Sequence, residues 1–336
     1  DFEDFHLRDI NLKVERGEYF VVLGPSGAGK TILFETIAGL VKPDKGTLVL
    51  EGTDITRLPI SQREVGIVFQ DGAVFPHMTV RRNLGYALRS KHLKKPEVEK
   101  RVTELGHAVG ILHLLHRKPS TLSGGELQRV AIARTLAREP HILLLDEPLA
   151  SLDYQLRQEI RDLLKGLNRK GLTIMHITHD YHEAFYLADK LAIIDQGKII
   201  QTGTPEEVIS HPGSRFVAGF IGIRNSYQFK KSDERTVMLE DKIQLSAQTT
   251  LSSGILLIPN DGIHLHPEIL PVVKNTEFAG KVMHKVRFPE NVLLIIDIGI
   301  ILHYFCHPDS EKLLRTDIGD DVMVMIDAQK MIFQEK

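Results

Sequence analysis

The chain has 336 residues, 42% apolar and 26% charged, and its 42 Lys and Arg against 44 Asp and Glu leave a net charge of −2. This describes a globular protein large enough for two cores, with no overall basic field to draw nucleic acid or an anionic membrane surface. Cys306 is the single cysteine, which rules out an intrachain disulfide and points to a reducing compartment.

Taken in chain order, the first informative stretch is the apolar run Tyr19 to Leu23, which reads as a strand. A helix-like stretch from Thr31 to Leu40 follows, so Gly24-Pro25-Ser26-Gly27-Ala28-Gly29-Lys30-Thr31 occupies a strand-to-helix turn. A helix N-terminus receives phosphate there. Gly24, Gly27 and Gly29 are expected to turn backbone N–H groups inward, with Lys30 adding charge toward outer phosphates and Thr31 a hydroxyl for Mg²⁺. Val65-Gly66-Ile67-Val68-Phe69 is a second strand-like run. It ends at Gln70 and opens a loop through Val74-Phe75-Pro76-His77-Met78, whose other reading is a self-packed surface loop.

Leu84 to Arg138 reads as mostly helical and contains Leu122-Ser123-Gly124-Gly125-Glu126-Leu127-Gln128-Arg129. The glycines suit close backbone approach to an anion, and a helix from Glu126 to Arg138 would point its N-terminus at phosphate. Ile142-Leu143-Leu144-Leu145 shows no alternation, as expected of a strand buried on both faces of a parallel sheet, and it ends in Asp146-Glu147-Pro148. Carboxylates at such a strand end meet a phosphate loop. Ile174-Met175-His176-Ile177-Thr178 is another strand-like run and delivers His179. Taken alone, a histidine at a strand end is more often a satisfied core residue, but its position after the acidic pair reverses that balance.

Beyond Ser226 the texture changes. Thr236-Val237-Met238-Leu239, Gly254 to Ile258, Val292 to Ile298 and Val322 to Ile326 read as short strands between Pro, Gly, Asn and Asp turns, the pattern of a small β-barrel. The predicted division is an α/β part over 1–225, with a helical subdomain over about 84–138, and a β-rich part over 226–336. The longest apolar stretch, Val292 to Phe305, is broken by Asp297, Gly299 and His303, and the N-terminus does not read as a signal sequence. Any membrane-spanning part is therefore expected on another chain.

The order of phosphate loop, Gln70, Ser123-Gly124-Gly125, Asp146-Glu147 and His179 resembles the ATP-binding-cassette ATPases. The resemblance implies a P-loop NTPase core with a largely parallel sheet and a helical subdomain, then an all-β, OB/TOBE-like barrel. It implies ATP and Mg²⁺ as cofactors, with Thr31, Gln70 and Asp146 toward the metal. It also implies Glu147 as general base, His179 at the γ-phosphate and Gln70 near metal and water. In this family the signature completes the site of the opposite subunit, so Ser123, Gly124 and Gly125 imply a homodimer, with Ser151-Leu152-Asp153 as the loop between subunits. The loop after Gln70 is expected to meet a membrane permease subunit, which places the chain at the cytoplasmic face of the membrane and, indirectly, in the service of a solute-binding protein. Family members open with a strand and then an aromatic that stacks on adenine. The match is Phe2, so the chain is expected to be short at its start, and core packing is the other reading of Phe2.

Within importers, Gly17-Glu18-Tyr19-Phe20, Gly27 to Thr31 and Met175 to Asp180 are most similar to molybdate or tungstate import ATPases; sulfate, iron, sugar and polyamine importers are the alternative. Some members stall the motor with oxyanion bound by a Ser-x-Arg-Asn element. The corresponding stretch here is Val272-Val273-Lys274-Asn275, which lacks the serine and replaces Arg by Lys, losing bidentate geometry, so regulation by substrate is not expected. A DNA-repair ATPase would need coiled coils between phosphate loop and signature, and the 93 positions from Lys30 to Ser123 leave no room for them. The histidines, including His264-Leu265-His266 and His107, His113 and His116, lack the Cys or carboxylate that would complete a structural metal set.

Overall fold

The computed structural model describes residues 5–70, 72–88, 93–266, 276–287, 291–306 and 316–335. They form two compact units, 1–206 and 207–336. In the first, β1 (Tyr19–Leu23), β4 (Val65–Val68), β5 (Ile142–Asp146), β6 (Thr173–Thr178), β7 (Lys190–Asp195) and β8 (Lys198–Gly203) make one sheet in the order β4-β5-β6-β1-β7-β8. All neighbours are parallel except β8, which returns antiparallel along β7. Every residue of β1, β5 and β6 is buried, which is why their sequences show apolar runs without alternation. The short strands β2 (Val49–Leu50) and β3 (Thr53–Asp54) form a separate hairpin.

Helix α1 (Lys30–Ala38) follows β1 and packs on β4 and β5. Its C-terminal end is held by Arg63, a fully buried side chain whose guanidinium donates to Thr36 O (2.6 Å), Ile37 O (2.9 Å), Thr56 O (2.9 Å) and Leu58 O (2.8 Å). A cation on the last carbonyls of a helix satisfies both their bonding and the helix dipole. Helices α2 (Val80–Ala87), α3 (Lys95–Ala108) and α4 (Gly124–Leu136) form the helical part, α4 packing on α2, α3 and β4. Helix α5 (Tyr154–Arg169) buries Ile160, Leu164 and Leu167, one helical stripe, and packs on α4, while α6 (Tyr181–Leu187) packs on β1 and β6.

The second unit contains α8 (Arg215–Phe220), preceded by α7 (Pro205–Ser210), which crosses the division between units, and then, among the described residues, ten strands. β9 (Asn225–Lys231), β10 (Thr236–Leu239), β11 (Ile243–Ser246), β12 (Ser253–Ile258) and β18 (Ile332–Gln334) form one antiparallel sheet, ordered β11-β10-β9-β12-β18. β13 (Ile263–His266), β14 (Glu277–Arg287), β15 (Val292–Asp297), β16 (Ile301–Cys306) and β17 (Asp321–Ile326) form the other, ordered β13-β17-β14-β15-β16. One core joins both sheets, with Phe229, Leu239 and Leu256 from the first and Val282, Leu294 and Val324 from the second. Side chains also stitch them together. Asn225 pairs with both backbone groups of His303 (2.8 and 2.8 Å), Asn260 with both of Phe305, and Tyr227 Oη donates to Ile301 O (2.7 Å), so the outer edge of β16 is satisfied without another strand.

Candidate functional site

The parallel sheet gathers four strand ends at one edge. The carboxyl ends of β1, β4, β5 and β6 carry Gly24, Gln70, Asp146 and His179 within adjacent strands. Open α/β sheets bind ligands outside such ends.

Between β1 and α1 the loop is shaped by glycines for two different reasons. Gly29 caps α1 with φ 98°, in the left-handed region, and Gly27 has φ 80°. Gly24 does not share this conformation: a Cβ there would stand 2.2 Å from Ile194 O on β7, so close backbone approach, not φ, requires glycine. This corrects the expectation of one role for all three. Pro25, Ser26 and Ala28 complete the loop, closed by the Ala28 N–H donating to Pro25 O at 3.2 Å.

Lys30 is only 5% exposed, and its Nζ donates to Gly24 O (2.8 Å) and Pro25 O (2.9 Å) while standing 4.0 Å from Glu147 Oε1. Burial lowers its pKa, opposed by the carboxylates of Glu147 and Asp146. Asp146 has the converse shift: burial raises its pKa, offset in part by a hydrogen bond from Thr31. Glu147 adopts φ 43°, a left-handed conformation that costs a non-glycine residue on the order of 1–3 kcal/mol and aims the side chain into the site. Its N–H donates to Ile177 O (3.1 Å) on β6, and its Oε2 lies 3.1 Å from His179 Nδ1. Lys30, Thr31, Asp146, Glu147 and His179 thus form one cluster. Gln70 is exposed just beyond β4.

Ser123 caps α4 through a reciprocal pair: its Oγ accepts from the Glu126 N–H (3.3 Å) and its N–H donates to Glu126 Oε2 (2.8 Å). These bonds do not involve the Lys30 cluster. Ser123 and Gly124 are exposed, but Gly125 is buried against α5, where a Cβ would meet Leu156 Cδ2 at 2.9 Å. A side chain here would have to displace the Leu156 methyl groups. Asp153 caps α5, accepting from the Leu156 N–H at 3.0 Å.

Phe2 and the stretch 272–275 lie outside the described residues. A cavity of about 480 Å³ beside the phosphate loop is lined by Phe5, His6, Ser26, Gly27, Gln196 and Lys198, among others. Sequence reasoning missed the contribution of the β7–β8 turn. Its Gly197 N–H donates to Ala28 O (3.2 Å), and its carbonyl accepts from the Arg8 N–H (2.9 Å), tying the chain start to the loop. Gln196 and Gly197 take left-handed φ values of 45° and 75° at this turn, and nothing local in the sequence marks its neighbour.

The ABC transporter family model matches residues 7–150. The molybdate/tungstate import ATP-binding protein WtpC of Pyrococcus horikoshii is 46% identical over 96% of this chain and 94% of its own length, and that of Thermococcus kodakarensis is 48% identical over 67% and 68%. This chain belongs to the ABC transporter ATP-binding family. Its structural relatives include cbiO1 from Clostridium perfringens, part of the ABC transporter complex cbiONQ (TM-score 0.56, 35% identity, 59% of this chain and 82% of that one). Another is a dimeric, post-hydrolysis ATP-binding cassette bound to ADP and Pi (TM-score 0.53, 31% identity, 58% and 89%). This ABC ATPase is an ATP-hydrolysing import subunit with a P-loop core and an OB/TOBE-like C-terminal unit. Among the described residues no helix is long and apolar enough to cross a membrane, and no group of three or more His, Cys, Asp or Glu is placed to hold a metal ion.

Proposed function

We propose that this ABC ATPase drives uptake of molybdate or tungstate, working as a homodimer beneath membrane permease subunits at the cytoplasmic face and served by a solute-binding protein. The observation that carries the motor is the convergence of Lys30 and His179 on the two oxygens of Glu147, at 4.0 and 3.1 Å, beside a helix N-terminus. In this reading Gly24 to Thr31 cradle the ATP phosphates, Lys30 neutralises their charge and Glu147 takes a proton from the attacking water, a role of about 10²–10⁴-fold in rate. His179 orients Glu147 and the γ-phosphate. Ser123, Gly124 and Gly125 close the partner's site, and Asp153 lies at the same junction.

The donor set also suits Mg²⁺, which prefers a few hard oxygens together with water and phosphate. The Thr31 hydroxyl lies by the Asp146 carboxylate and acts to lower its pKa, and Gln70 would add an amide oxygen. Bound there, the ion would offset charge developing on the transferred phosphoryl group.

The solute assignment rests on reach of similarity. The spermidine/putrescine import ATP-binding protein PotA of Mesoplasma florum also extends into the second unit, but at 39% identity over 83% of this chain and 80% of its own length, whereas the P. horikoshii WtpC holds 46% identity over 96% and 94%. The test is uptake of molybdate, tungstate, sulfate and spermidine by the complex reconstituted with its permease. Molybdate or tungstate transport dependent on ATP is the expected result; transport of spermidine alone would overturn the assignment.

A further inference from the structure

Two loops of the site, Ser151-Leu152-Asp153 and Thr178-His179-Asp180, arrive on different elements, and one guanidinium lies between them. Arg157, one turn into α5, directs Nη2 to Leu152 O (3.4 Å), Nη1 toward Asp180 Oδ2 (3.8 Å) and Nε toward Glu183 Oε1 (3.9 Å). Glu183, on α6 and 4% exposed, uses its other oxygen to accept from Thr178 Oγ1 (2.8 Å). Thr178 Oγ1 in turn accepts from the Asp180 N–H (3.0 Å), and Asp180 Oδ1 accepts from the N–H groups of His182 (2.8 Å) and Glu183 (3.4 Å). Both neighbours of His179 are therefore held by side chains that lead back to Arg157.

A buried carboxylate is a poor device for stability alone. Desolvation costs several kcal/mol, and apolar replacements of buried ion pairs are often neutral or stabilising. Burial raises the pKa of Glu183, the sign of that cost. What the arrangement does supply is direction: the fork bonds a backbone carbonyl of one loop and faces a carboxylate of the other and one on α6, so a shift of α5 has a route to the strand end carrying His179.

We infer that Arg157 and Glu183 are positioning residues that couple the Ser151–Asp153 loop to His179 within one subunit, so that the loop between subunits sets the geometry of the hydrolytic pair Glu147 and His179. The inference rests on the proposed roles of those two residues and adds the connection between them and the subunit interface.

The experiment is a double-mutant cycle of Arg157→Gln and Glu183→Gln, read as ATP turnover with Mg²⁺, with Glu147→Gln as control. Glutamine at 183 keeps the acceptor for Thr178 and removes the charge facing Arg157. Each single variant is expected to lower kcat about tenfold with KM for ATP within about twofold, the double to be no slower than either single, and the Hill coefficient for ATP to fall, the non-additivity expected of groups acting as a unit. Independent, multiplying losses, an effect confined to KM, or turnover within about twofold of wild type in both singles would overturn the coupling. Arg157 is partly exposed, and its variant keeps the measurement readable if Glu183→Gln melts early. Absence of turnover in the wild type, or full turnover in Glu147→Gln, would instead remove the motor reading itself.

Discussion

Glu147 Oε2 and His179 Nδ1 stand 3.1 Å apart, though 32 positions separate the two residues in the chain. The parallel neighbours β5 and β6 end side by side, and the left-handed turn at Glu147 brings its carboxylate back over β6.

Glu147→Gln should leave ATP binding intact and lower turnover by about 10²–10⁴-fold, because the amide keeps the size of the side chain and cannot accept the proton. The variant should also accumulate as an ATP-bound dimer. Turnover measured beside equilibrium ATP binding checks both; hydrolysis within about threefold of wild type would remove Glu147 from the role of base.

Lys30→Ala should weaken ATP binding by about 1.5–3 kcal/mol through loss of a charged donor, roughly 10- to 150-fold in Kd. The signature is probed by Ser123→Arg rather than by a change at Gly125, since any side chain at Gly125 meets Leu156 and disturbs the packing of α4 on α5. Mixed dimers of Lys30→Ala and Ser123→Arg subunits should regain one working site, formed by the intact phosphate loop of one and the intact signature of the other. No recovery in verified heterodimers would show that the signature does not act in trans.

Coupling to a permease is tested at Tyr86, not Phe75. The Phe75 ring is covered by Arg134, whose guanidinium carbon is 4.1 Å from the ring centroid, and by the edge of Tyr86 at 4.9 Å, and Asn83 holds the loop through Phe75, Met78 and Thr79. An aspartate at 75 would pair with Arg134 and lose this packing. Tyr86 gives that packing only a T-shaped ring contact and is 41% exposed at the same surface, so a substitution there leaves the Arg134–Phe75 contact in place. Tyr86→Asp should leave basal ATPase within about twofold while solute uptake by the assembled complex falls about tenfold or more, the cost of a charge in an apolar contact. Uptake unchanged would place the permease elsewhere.

His176 makes stability depend on pH. It is fully buried, burial and then Arg161 lower its pKa to about 3, and Tyr19 Oη lies 3.0 Å from its Nδ1. The unfolded chain takes up a proton near the ordinary value of 6.5 and the folded one does not, so full stability is present above about 6.5 and is lost at about 1.4 kcal/mol per unit as pH falls below it. Glu183 and Asp146, whose pKa values are raised by burial, act in the opposite direction at lower pH, which confines the clean window to the pH range just below 6.5. Tm across that window should fall in the wild type and flatten in His176→Gln; parallel slopes would exclude His176 as the cause.

The motor's chemistry was legible in the chain because it is local. A phosphate loop needs glycines and a Lys-Thr pair within eight consecutive residues, and a strand buried on both faces announces itself as the apolar run ending at Asp146. The β-rich C-terminal unit was legible at its densest apolar strands, Thr236 to Leu239 and Val322 to Ile326, but not at β9, whose alternating burial carries weaker signal. Packing alone decided the rest. That Gly24 is required by a carbonyl of β7, that the β7–β8 turn lies against the phosphate loop, and that Arg157 faces the flank of His179 all depend on which elements are neighbours in the fold. Strand order is set by long-range burial, and residues more than a hundred positions apart, such as Ala28 and Gly197, leave no mark of their pairing in the local pattern of either segment.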